Sequence, residues 1–153
     1  PLEERRMRSR LEFLDDIVVS LGGYAAEELI LGDITTGPTN DISVATALAR
    51  DMVTKYGMSE KLGPVSFDET PISLGWGPVG HDHTYSEELA ARVDQEVSKI
   101  MSEGLVRAKE VLTTHGKVLE AIAVELVSVE TIERKEFEEL LILHGIKPKR
   151  KVE

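Results

Sequence analysis

The chain has no cysteine, which excludes disulfides and leaves its redox compartment unreadable. Aromatic residues make up only 5% of it, so any core must be built from Leu, Ile, Val, Ala and Met. Positive charge is in deficit: 18 Lys and Arg stand against 28 Asp and Glu, for a net charge of −10. Such a balance argues against a surface for nucleic acid and for solubility. The basic run Lys147-Pro148-Lys149-Arg150-Lys151 is too short to reverse it and reads as a solvated tail, 147–153. No apolar run approaches the roughly 20 residues of a membrane-spanning helix, and no signal-peptide pattern is present. A G-x-x-x-x-G-K-[ST] phosphate loop is missing. None of the four histidines, His81, His83, His115 and His144, lies in a His-Glu-x-x-His motif.

What is present is helical patterning. With 153 residues, 41% hydrophobic and 30% charged, the chain is of ordinary globular composition and long enough for one domain with a core. Apolar residues from Leu11 to Ile30 keep helical spacing over Ser9 to Leu31, ended by Gly32-Asp33. The pair Gly22-Gly23 inside this run marks either a close approach by another helix or a break between two helices, since each glycine costs about 1 kcal/mol in a helix. A second pattern covers Ile42 to Tyr56 and closes at Gly57. Val65-Ser66-Phe67 and Ile72-Ser73-Leu74 alternate apolar and polar, which predicts a short β-hairpin. Beyond the glycine-rich stretch 68–83, Thr84-x-x-Glu87 is a capping-box signature for a long amphipathic helix. Stripes at Val118–Val127 and Phe137–Leu143 follow, predicting an antiparallel bundle over 84–145. The expected fold is therefore mainly α.

One stretch carries chemistry: Thr35-Thr36-Gly37-Pro38-Thr39-Asn40-Asp41, leading into the second helix. Asp41 at a helix start faces partial positive charge and free N–H groups, so it stays ionised. On its residues alone this is a helix cap. Glu27 and Glu28 read as a solvated helix face, and His81 with His83 as an exposed loop rather than a metal pair.

Three ordered blocks, Gly22-Gly23-Tyr24-Ala25-Ala26-Glu27-Glu28-Leu29, the Thr35–Asp41 stretch, and Ala49–Pro64, resemble the peptidase domain (family M41) of the FtsH family of membrane-anchored, ATP-dependent zinc metalloproteases. Weaker similarity runs on to about residue 143. The resemblance implies a partial peptidase domain over 1–146, with the zinc-site half at 9–64, in which Asp41 is the third zinc ligand. Glu27 then stands beside the zinc-bound histidines as a supporting partner. The two histidine ligands and the general-base Glu belong to a His-Glu-x-x-His helix expected upstream, so the chain alone is expected to be inactive. The parent, so implied, carries an ATPase module using ATP and Mg²⁺ and assembles as a homo-hexamer. It acts on unfolded or membrane proteins, anchored through its N-terminal part with this domain on the cytoplasmic, stromal or matrix side.

A non-catalytic helical scaffold from a degenerate relative is the alternative. Two departures from the family pattern support it: Pro38 in place of a small residue, and Ser43-Val44 in place of a charged pair.

Overall fold

The computed structural model describes residues 7–67 and 86–148. Six helices are found there and no strand: α1 Arg10–Ser20, α2 Gly22–Leu31, α3 Thr39–Thr54, α4 Glu87–Thr114, α5 Gly116–Val129 and α6 Arg134–Leu143. The mainly α expectation holds. Val65–Phe67, the first arm of the expected hairpin, is irregular backbone whose Phe67 N–H donates to Thr54 O at 2.6 Å. The second arm, Ile72–Leu74, lies outside the described residues, as do His81 and His83.

Two compact units divide the chain, 1–109 and 110–153. In the first, α1 packs along α3. Phe13, Ile17 and Leu21 supply one side of the contact and Ala45, Ala49, Met52 and Val53 the other, all buried. Ala45 and Ala49 are one turn apart, so a strip of small side chains lets the two backbones approach. From α4, Val93, Val97, Ile100, Gly104 and Ala108 join this core. Burial of a side chain such as Ile17 or Met52, both fully enclosed, contributes about 1.5–3 kcal/mol.

The predicted run from Ser9 to Leu31 is two helices. Ser9 caps α1 in a reciprocal capping box with Glu12, and the two helices meet at the single turn residue Leu21, whose N–H still donates to Ile17 O and whose carbonyl accepts the Ala25 N–H, both at 2.9 Å. α2 then ends on Gly32 in the left-handed region, φ 66°. Gly22 has open space around it, and Gly23 faces Asp41 Oδ2 at the ordinary contact distance of 3.8 Å from a built Cβ, so the pair marks a break and a polar approach. The close helix approach occurs instead at Gly104. A Cβ there would lie 3.0 Å from Ile17 Cγ2 and 3.3 Å from Leu21 Cδ1. Just before Ser9, the Arg8 guanidinium lies 4.3 Å from the Phe13 ring centroid and pairs with Asp16.

After α3, residues 58–63 are latched at both sides. Arg10 Nε donates to Met58 O at 3.1 Å, and the Ser59 hydroxyl donates to Glu96 Oε2 at 2.8 Å. Ser59 and Glu96 are 4% and 5% exposed, and Lys61 Nζ stands 3.9 Å from the other Glu96 oxygen. Helix α4 starts at Glu87, with the Leu89 N–H donating to Ser86 Oγ at 3.3 Å. Ser86 thus serves as a cap, its hydroxyl three residues before the amide it accepts; the expected Thr84 lies outside the described residues. In the second unit, α5 and α6 pack on each other, joined through Glu130 at φ 61°.

Candidate metal centre

The site is built on the face of α2 that carries Gly23 and Glu27, one turn apart and therefore in line. The segment leading into α3 crosses that face. Glu27 accepts the Thr35 N–H at Oε2, 2.9 Å, and the Thr35 hydroxyl at Oε1, also 2.9 Å. That hydroxyl in turn accepts the Gly37 N–H at 3.0 Å. A single threonine thereby ties two backbone amides of the loop to one carboxylate. Gly37 is close enough that an added Cβ would meet Glu27 Oε1 and Thr35 Oγ1, each at 3.2 Å, so a side chain there would press on the Glu27–Thr35 contact.

The loop turns into the helix through Thr36–Thr39, where both the N–H and the hydroxyl of Thr39 donate to Thr36 O, at 3.3 and 2.6 Å. Pro38, buried at φ −75°, occupies the N-cap and makes no side-chain cap. The Ile42 N–H donates to Pro38 O at 3.0 Å, so the helix begins at Thr39, three residues earlier than the apolar pattern indicates. Asp41 is in consequence a residue of the first turn and not the cap. The capping reading is corrected by the proline, whose fixed φ starts the helix before Asp41 is reached.

Asp41 is exposed, and its carboxylate takes part in no hydrogen bond or ion pair among the described residues. It reaches back toward α2 over Gly23. A carboxylate on the first turn of a helix, with its acceptor sites free and a glycine making room beside it, has the chemistry of a hard oxygen ligand. Among the described residues there is no group of three His, Cys, Asp or Glu able to hold a metal. Asp41 could thus offer a metal one oxygen ligand.

Thr35 and Gly37 were within the recognised stretch, yet their bonds to Glu27 could not be read from spacing. Glu28, read as solvated, points the other way on α2, with Oε2 buried and 2.7 Å from Lys109 Nζ on α4.

The geometry is that of a mainly α domain with a lone, exposed carboxylate beside a loop braced by a second one. The chain belongs to Peptidase family M41, whose family model matches residues 1–140. It is 42% identical over 153 residues to the ATP-dependent zinc metalloprotease FtsH of Bacillus subtilis, covering 98% of this chain and 24% of that protein. The proteins of the same name from Thermotoga maritima and Pseudothermotoga lettingae are 43% and 44% identical, over 92% of this chain and 23% of theirs. The chain thus spans about a quarter of the length of these relatives. Among the described residues no helix is long and apolar enough to cross a membrane.

Proposed function

We propose that residues 1–146 form part of the peptidase domain of an ATP-dependent zinc endopeptidase, with 147–153 as a basic tail. Asp41 supplies one of the zinc ligands. The observation that carries this reading is the free Asp41 carboxylate, on the first turn of α3, while Thr35 is tied to Glu27 and Gly37 to Thr35. Zinc, when bound, would polarise a peptide carbonyl and lower the pKa of a bound water. This chain's own part is to present a carboxylate at a fixed place: α3 is anchored by Ala45, Ala49, Met52 and Val53 in the core, so Asp41 cannot drift. Glu27 holds the entry loop, and its remaining acceptor capacity, since a carboxylate offers about four lone-pair sites, is available to orient an imidazole from the upstream helix. The remaining zinc ligands and the general base come from that helix. The 153-residue chain by itself cleaves nothing. In the parent, ATP and Mg²⁺ serve an ATPase module of a membrane-anchored homo-hexamer that feeds unfolded or membrane proteins to this site.

The test is zinc content and casein degradation of the full-length protein against its Asp41→Ala variant. Stoichiometric zinc and activity, both lost on substitution with the helical signal retained, support the reading. Zinc and activity that survive Asp41→Ala overturn it.

A further inference from the structure

Helix α2 carries the face on which the site is built, yet its apolar packing is slight. It is ten residues long, shorter than the roughly 12–15 that sustain an isolated helix, and Ala25 is its one buried residue. It continues from α1 through Leu21, whose N–H donates to Ile17 O and whose carbonyl accepts the Ala25 N–H, both at 2.9 Å, so α1 sets its first turn; beyond Ala25 it buries nothing and it ends on Gly32. Leu29, Ile30 and Leu31 at its far end are exposed. Polar contacts must therefore hold the turns of α2 beyond Ala25, and two adjacent glutamates make them. Glu27 holds Thr35; Glu28, about 100° further round the helix, meets Lys109 at 2.7 Å.

The second of these contacts is well placed to act as a fixed point. Glu28 Oε2 is enclosed although its side chain is partly exposed; it accepts no hydrogen bond among the described residues, and the Lys109 cation beside it is what offsets its charge. Lys109 extends from α4 directly after Ala108, itself buried, and one turn beyond Gly104, where α4 is seated against Ile17 and Leu21 of the core. α4 is thus the rigid partner and α2 the element being positioned.

We infer that the Lys109–Glu28 ion pair is a positioning clamp for the metal centre: it holds the turns of α2 beyond Ala25 in place, so that Glu27 meets Thr35. This rests on the zinc reading of Asp41 for its consequence, but the clamp itself is a property of this chain. Without the Lys109 cation, Glu28 turns out to water, the end of α2 shifts, and the Glu27 bonds to Thr35 open. The Gly37 amide is released with them, and the entry to α3 loosens around Asp41.

The experiment measures amide hydrogen exchange across 33–41 and zinc affinity by chelator competition, in the full-length protein. The variants are Lys109→Met, Lys109→Arg, Asp41→Asn and, as a core control, Val97→Ala. Lys109→Met is expected to speed exchange at Thr35 and Gly37 about tenfold and to weaken zinc binding by about tenfold, the lower end of the range for partners that orient ligands. Lys109→Arg restores both, because it returns a cation to Glu28. Val97→Ala lowers the melting temperature and leaves both readouts unchanged. The clamp is overturned if Lys109→Met costs thermal stability alone, with Thr35 exchange and zinc affinity at wild-type values, or if Val97→Ala reproduces its effects. If Asp41→Asn keeps its zinc, the metal reading fails, and the exchange measurement still decides the clamp.

Discussion

Gly104 and the Ser59–Glu96 pair show how much hangs on single residues whose importance no spacing announces. In Gly104→Val the first added atom already meets fully buried Ile17 at 3.0 Å, and the branch adds more. Overpacking of this kind outweighs the better helix propensity of valine, and urea unfolding should show a loss of about 3 kcal/mol. Ser59→Ala strips the donor from a carboxylate that is 5% exposed and also orphans the Leu62 N–H, which is bonded to Ser59 Oγ at 3.1 Å. The expected cost is about 1–3 kcal/mol. Combining it with Glu96→Met should recover part of that loss in the same unfolding assay, since no stranded charge remains. Asp41 was legible because its neighbours form an ordered block. Glu96 was not: a glutamate at a core position of an amphipathic helix looks like any charged residue until the serine facing it, 37 positions away, is placed.

Among the elements, the helices were legible and their joints were not. Apolar periodicity located α3, α4, α5 and α6 to within a few residues, because burial of one face is what makes each helix stable. It ran α1 and α2 together, since the apolar stripe and the helical bonds to and from Leu21 both pass through the one turn residue that divides them. Turn chemistry is the exception, and the two glycines after α3 allow a sharp comparison. Gly57 sits at φ 60° and a Cβ on it would lie 2.9 Å from the Pro64 backbone; Gly63 sits at φ 72° with open space. Gly63→Ala should cost about 1–2 kcal/mol, the strain of the left-handed conformation alone. Gly57→Ala must also displace backbone, so its thermal unfolding midpoint should fall clearly further than that of Gly63→Ala. Equal midpoints would mean that the 57–64 turn yields freely and that the Arg10 and Glu96 latches do not hold it.

Over the whole molecule, burial is distributed unevenly between the two units. Among the described residues, twelve of the thirteen buried apolar ones, from Phe13 to Ala108, belong to 1–109, and the second unit has Val118 alone. α6 buries none of its residues, and Val124, Val127, Ile142 and Leu143 are exposed. Helices of 14 and ten residues are marginal without such burial. The charge-assisted contact found within α6, Arg134 with Glu138 at 2.8 Å, is a solvent-exposed pair worth about 0.3–0.5 kcal/mol. The capping box at Glu133 adds little more than a local start to the helix. Stability should accordingly be graded along the chain rather than shared. Native-state hydrogen exchange of the 153-residue chain is expected to give opening free energies of about 1–3 kcal/mol for the amides of α5 and α6, and values near the global limit, about 5 kcal/mol or more, for those of α3. Ile17→Ala should lower protection throughout 1–109, whereas Val118→Ala should alter only 110–153. Uniform protection across α3, α5 and α6, falling together in both variants, would show instead that the chain unfolds as one cooperative body.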